Sequence, residues 1–289
     1  MKYSLFLGCT IPARLKQYES SSRAVLDRLG VGLVDIEEFN CCGYPLRNMD
    51  FKAFLFSSAR NLALAEKKKL PVMTLCKCCF GSLKKADTLM KESVSLREEV
   101  NRALEKEGLR YDGGIEVKHL LSVLHKDVGM EAIKGKMDKK FAGLRIATHY
   151  GCHVLRPSSV VQFDHPTAPT LFDQLVEVTG AESVSWQKKL DCCGAPLWGI
   201  NDELSADLTV KKLTDGKQSG AHYLCTACPY CHIQFDAIQK RICSQRGTNH
   251  LLPSILYPQL LGFCMGIDPD RLGIKMNEIP LKEIKDFLS

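Results

Sequence analysis

No stretch of this chain approaches the roughly 18–20 consecutive apolar residues that a membrane-spanning helix requires. The N-terminus, MKYSLFLGCT, has one lysine and then about five apolar residues before Cys9. LFLGC superficially resembles a lipoprotein cleavage box, but a secretory leader needs about 7–15 apolar residues. The segment reads instead as a first β-strand, and the chain as cytoplasmic, with no membrane association. A concentrated basic block is also missing. Lysine runs at 67–69, 84–85, 139–140, 188–189 and 211–212 spread a net charge of +6 over many elements. They read as solvated helix faces. Aromatic residues do not interleave with them, so nucleic acid is not an expected partner. The modest positive balance suits an anionic small molecule or an acidic partner. The GxGxxG turn of dinucleotide sites is absent: VGLVD (31–35) and GLRIA (143–147) lack its glycines. Flavin, nicotinamide and haem are therefore not expected on this chain.

What the chain does have is cysteine, 14 in 289 residues. Without a secretory leader a disulfide framework is not expected, because the cytosol keeps thiols reduced. Many cysteines in a cytosolic chain point to metal or redox chemistry. Scattered residues such as Cys243 and Cys264 read as small buried hydrophobes. The others form a pattern. GCT (8–10), CCGYPL (41–46) and CKCC (76–79) recur as GCH (151–153), CCGAPL (192–197) and CPYC (228–231). Between Cys42 and Cys76 lie 33 residues, and between Cys193 and Cys228 lie 34. The chain is two copies of one unit, each with five cysteines in the order C, CC, CxxC.

The coarse structure repeats with the cysteines. Strands are predicted at 3–8, 31–36 and 71–75 in the first half, with helices near 17–29, at 50–68 and from about Phe80. In the second half strands fall at 144–150 and 221–224, with helices at 169–179, 203–219 and after Cys231. Alternating strands and helices give an α/β fold: two pseudo-symmetric, Rossmann-like repeats with parallel strands and flanking helices. The first repeat spans 1–140, with 93–140 a charged helical connector, and the second spans 141–289. Cys9, Cys76, Cys152 and Cys228 fall at the carboxyl ends of strands, the edge where open α/β sheets bind ligands.

Residue chemistry alone leaves three uses for such thiols. Structural zinc takes four ligands and would leave one thiol spare in each half. A dithiol–disulfide relay needs fewer than five. Iron–sulfur clusters take cysteines, but neither half has the short ferredoxin run, and CTACPYC (225–231) lacks its fourth cysteine followed by proline. In either CCG turn, glycine permits a positive φ and a close approach of chain and ligand, and the proline stiffens the exit.

GCT…CCGYPL…CKCCFGSL and GCH…CCGAPL…CPYCHIQFD resemble the duplicated cysteine-rich CCG motif, over nearly the whole chain. The closing segment PSILYPQLLGFCMGIDPDRLGI (253–274) is similar to the last helix of the same family, the B subunits of methanogen-type heterodisulfide reductases. That resemblance implies two noncubane [4Fe-4S] clusters. The first would be held by Cys9, Cys41, Cys42, Cys76 and Cys79, and the second by Cys152, Cys192, Cys193, Cys228 and Cys231. It implies reduction of the mixed disulfide of coenzyme M and coenzyme B to two thiols. It also implies electron delivery by the iron–sulfur C and flavin-bearing A subunits of such enzymes, within a complex containing a hydrogenase or formate dehydrogenase. Two one-electron centres facing a single S–S bond match the two electrons its cleavage takes. Cys78 and Cys225 offer alternative registers: 35 residues lie between Cys42 and Cys78, but with Gly81 in the partner position, and Cys225 makes a CxxC with Cys228. The context PYCHIQFD favours Cys228 and Cys231. The anionic substrate would meet cationic groups drawn from Arg14, Arg47, Lys77, His149, His153, Arg156 and His232.

Overall fold

Apolar residues on both faces of a short extended segment favour a central parallel strand covered by helices. The first such segment, β1 (Lys2–Phe6), is buried at every residue after Lys2. The computed structural model describes residues 1–249 and 251–289. β1 lies between β2 (Gly32–Val34) and β3 (Val72–Thr74), and β4 (Val117–His119) completes a parallel sheet in the order β2-β1-β3-β4. The second half repeats this with β5 (Arg145–His149), β6 (Glu182–Ser183), β7 (Tyr223–Thr226) and β8 (Ser254–Leu256), in the order β6-β5-β7-β8. The register repeats too. Ser4 pairs with Val72 and Ala147 with Leu224, each five residues before the GC cysteine and four before the CxxC.

The predicted helices at 17–29, 50–68, 169–179 and 203–219 correspond to Lys16–Arg28, Phe51–Lys67, Leu171–Glu177 and Asp202–Gln218. Two starts differ from expectation. The helix expected from Phe80 begins at Lys77, and the one expected after Cys231 begins at Pro229. Both CxxC motifs therefore form the first helical turn. The segment 93–140 holds helices but also supplies β4, so it is part of the first sheet and more than a connector. The closing segment likewise opens as a strand, β8, before the helix Tyr257–Cys264. β4 and β6 were not expected, because VKH and ES lack the apolar run that marks the equally short β2 and β3.

One large hydrophobic core runs through both repeats, beside a small separate cluster of Ala206, Ile238 and Ile242. Helix Lys16–Arg28 of the first packs on Tyr257–Cys264 of the second, and Gln17 Nε2 donates to the Met276 carbonyl at 3.2 Å. Gly81, on the first CxxC helix, lies against the backbone of His153: a Cβ there would stand 3.0 Å from its carbonyl oxygen. These contacts turn the carboxyl ends of the two sheets toward one another.

Candidate metal centre

Each thiol arrives by a local device that both repeats share. After β1 the chain turns through Gly8 (φ +67) to Cys9, and after β5 through Gly151 (φ +74) to Cys152. A Cβ on Gly8 would fall 2.9 Å from Cys79 Sγ, so this glycine is what lets the two arms close on one another. The vicinal cysteines precede Gly43 (φ +80) and Gly194 (φ +90), in the left-handed region that glycine occupies without strain. A Cβ at either would meet the next helix, 2.8 Å from Phe54 O or 2.7 Å from Ser205 O. That helix also clasps the turn: Ser58 Oγ donates to Cys42 O at 2.6 Å, and Thr209 Oγ1 to Cys193 O at 3.1 Å. Cys76 and Cys228 are the extended residues that start a helix, and Cys79 and Cys231 sit three residues on. One turn of helix brings such positions to the same side.

Ten thiols thus gather in the two predicted sets of five, and all are free. In the first set Cys41 Sγ lies 3.9 Å from Cys9 Sγ, and Cys42 accepts hydrogen bonds from Cys41 and Cys79. In the second, Cys231 Sγ lies 3.6 Å from Cys193 Sγ, and Cys192 accepts from Cys152 and Cys193. The sets touch. Cys228 starts its helix within electrostatic reach of Cys76 and Cys78 as well as of Cys231. His153 bridges further, its Nδ1 3.4 Å from Cys78 Sγ and 3.6 Å from Cys152 Sγ, and its Nε2 3.3 Å from Tyr44 Oη. Cys78 belongs at this junction. Cys225 lies inside β7, where burial raises its pKa, with Lys77 opposing.

Hydrogen bonding sorts the protons. Donation from Cys41 and then Cys79 holds the Cys42 thiol well below the ordinary range. Donation from Cys152 and then Cys193 holds Cys192 down to about 2, while the bond to Cys192 and burial push Cys193 up to about 12. Burial raises Cys228, but bonds from Cys231, Cys76 and Cys78 bring it well below the ordinary value. Each set therefore contains a thiolate, the form that ligates metal. Convergent, largely buried sulfurs suit a thiolate-bound metal cluster. His149, Cys193 and Cys231 place one ligand atom each within 4.8 Å of one another.

Of the expected cations, Lys77 is buried, its Nζ donating to His149 O at 2.9 Å. His149 Nε2 is 3.3 Å from Cys231 Sγ, and burial holds its pKa well below the usual value. Arg14 borders a cavity of about 310 Å³ between the repeats, with Cys9, Thr10, Ala195, Trp198, Tyr230 and Gln234 also on its wall. Arg47 lies 5.6 Å over the Tyr44 ring. Arg156 has an exposed side chain while its backbone amide donates to the Cys152 carbonyl at 3.1 Å, and His232 is buried on Ser254 and Asp236. Lys212 corrects the reading of 211–212 as a solvated face. Lys211 is exposed, but Lys212 is 1% exposed, and its Nζ donates to the Lys188 and Asp191 carbonyls. Burial lowers its pKa to about 8. Its offset from the CC pair was the available signal: Lys212 stands 19 residues after Cys193, as Asn61 does after Cys42.

The profile of the CCG cysteine-rich domain matches residues 3–84 and again 146–236. The chain belongs to the CCG cysteine-rich domain family. It is 35% identical, over 96% of its length and 94% of the relative's, to the B subunit of the ferredoxin/F(420)H(2)-dependent CoB-CoM heterodisulfide reductase of Methanosarcina acetivorans. It is 34% identical, over 96% of its length and 97% of the relative's, to the 8-methylmenaquinol:fumarate reductase membrane anchor subunit of Wolinella succinogenes. A hypothetical protein from Helicobacter pylori shares the fold, with a TM-score of 0.77 at 17% identity, over 98% of this chain and 53% of that one. Among the described residues of this CCG protein, no helix is long and apolar enough to cross a membrane.

Proposed function

We propose that this CCG protein is the catalytic subunit of a CoB–CoM heterodisulfide reductase, with two noncubane [4Fe-4S] clusters on the two sets of five thiols. The observation that carries the reading is the His153 ring, whose Nδ1 lies 3.4 Å from Cys78 Sγ and 3.6 Å from Cys152 Sγ: thiols of both repeats adjoin there, which would put two redox centres on one small site. When bound, the clusters would supply the two electrons that cleave the disulfide. The chain's own residues do the rest. The hydrogen-bonded thiolates Cys42, Cys192 and Cys228 are ready ligands. The cavity beside Cys9 opens between the repeats, and Arg14 offers a cation to an anionic substrate group. His153 Nδ1, within 3.6 Å of thiols from both repeats, would pass on one of the two protons that the product thiols require, and burial, which lowers its pKa, favours the release. Electrons would come from iron–sulfur and flavin subunits of the C and A types, in a larger complex with a hydrogenase or formate dehydrogenase.

The similarity to the fumarate reductase subunit of Wolinella favours a second reading, a redox subunit of the same architecture serving another substrate. Iron, zinc and acid-labile sulfide per chain, measured on anaerobically purified protein, come first. Iron well above about four atoms with matching sulfide exceeds one ordinary cubane. One or two zinc atoms without sulfide would indicate structural sites and end the enzymatic reading. Turnover of the CoM–CoB disulfide with reduced viologen, against fumarate as the competing oxidant, then separates the two redox readings. Cys42→Ala and Cys193→Ala should each lose one centre and nearly all turnover; full activity in either would overturn the mechanism.

A further inference from the structure

The two sets of thiols are alike in ligands and unlike in surroundings. Nineteen residues beyond each CC pair, one side chain reaches back beneath the turn. In the first repeat it is Asn61, buried and neutral, donating to Cys41 O at 3.1 Å and Ser57 O at 2.9 Å. In the second it is Lys212, equally buried, donating to the Asp191 carbonyl at 3.1 Å and lying 4.6 Å over the Trp186 ring. Three residues before each GC cysteine the first repeat has Phe6 and the second His149, whose Nε2 contacts Cys231. Lys77 adds to the imbalance. It belongs to the first CxxC yet crosses to the second repeat, donating to His149 O at 2.9 Å and lying 5.5 Å over the Phe172 ring. Its counterpart, Pro229, has no charge to send back.

Both fully buried lysines among the described residues therefore direct their ammonium groups at the backbone of the second repeat. The second set also has Asp191 where the first has Asn40. The Asp191 side chain is 55% exposed and pairs with Lys188 at 3.3 Å, so water and its partner screen it. Arg14 by the first set is exposed and screened in the same way. A buried cation acts through a much lower dielectric and stabilises the reduced, more negative form of a nearby centre. Net charge and hydrogen bonds to sulfur are what tune iron–sulfur potentials.

We propose that the two centres are electronically unequal, the second accepting electrons at the higher potential, and that Lys212 is a positioning residue that sets much of the difference. This rests on the iron–sulfur reading above. It assigns an order: the first electron settles on the Cys152–Cys231 side.

The test is a potentiometric titration, followed by electron paramagnetic resonance, on the full chain purified anaerobically with iron and sulfide counted. The unaltered protein should show two separate transitions, and Cys193→Ser identifies the one that belongs to the second set. Lys212→Met should move that transition to lower potential and leave the other in place. Lys212→Arg should restore it, and Asn61→Lys should raise the first. Iron and sulfide in place with one unsplit transition, unmoved by Lys212→Met, overturns the proposal alone. Absent iron and sulfide overturns the reading beneath it as well. If Lys212→Met does not retain iron, Asn61→Lys decides: an unmoved lower transition overturns the asymmetry.

Discussion

At the scale of single residues, the site depends on backbone freedom more than on polar chemistry. Gly43 and Gly194 combine a left-handed φ with a helix backbone pressed where a Cβ would go. Alanine there costs roughly 1–2 kcal/mol for the conformation alone, and the clash with Phe54 O or Ser205 O adds to it. Gly43→Ala should lower the melting temperature and deplete iron from the first set while sparing the second. Equal depletion of both would show that the turns act globally. A second residue-scale effect concerns pH. Burial, then the charge of Lys77, lowers the His119 pKa to about 3, against an ordinary value near 6.5. With the folded value below the unfolded one, this contribution to stability is complete above about pH 6.5. It is lost as pH falls toward 3, because the unfolded chain takes up the proton first. His119→Asn keeps an acceptor for the Leu121 amide. It should flatten the fall in denaturation midpoint between pH 6 and 4, by about 1.4 kcal/mol per pH unit. An unchanged slope would place the acid sensitivity elsewhere.

Elements determine which residues can share the site. The CxxC spacing works because both motifs start a helix, so the first and fourth positions lie on one side. Inserting one alanine after Lys77 would rotate Cys79 by about 100° about the helix axis. Iron bound by the first set should fall while the second keeps its own; unchanged iron would mean that Cys78 takes the ligand position. The helix that follows each CCG turn is capped in the same way in both repeats. Asp50 accepts from Ala53 N and Asn201 from Leu204 N, each at 3.0 Å. Asp50→Ala and Asn201→Ala should each cost about 1 kcal/mol in chemical denaturation, and should add because the sites are separate. Much of this was legible in the sequence: the strands before Cys9, Cys76 and Cys152, the long helices, and the grouping of thiols. β4 and β6 were not, because VKH and ES are polar and lack the apolar run that marks β2 and β3. Lys212 was hidden for a related reason. In a long amphipathic helix, adjacent lysines look alike in sequence, and only packing turns Lys211 outward and Lys212 in.

Taken whole, the molecule is one core rather than two. His153 joins Cys78 to Cys152 across the repeats, Lys77 bonds the second repeat's backbone, and Gly81 leaves room for that of His153. The halves expressed as separate chains, 1–140 and 141–289, should be poorly soluble alone. Each should bind iron only when the two are mixed; a half that loaded its own cluster in isolation would show that the sites are independent. The two groups of cysteines were readable because the motif occurs twice. Their junction was not, since no spacing within either copy says how one copy meets the other.

The pairing of Asn61 with Lys212, and of Phe6 with His149, has one more consequence. A symmetric dimer of identical chains could build the same pair of thiol sets and the same meeting point. It could never make them different, because any lysine placed under one turn would appear under the other. Covalent linkage of the copies lifts that constraint: each copy is free to vary on its own, so a polarity can be written into an otherwise twofold device. Direction, in this fold, is a property available only to the fused chain.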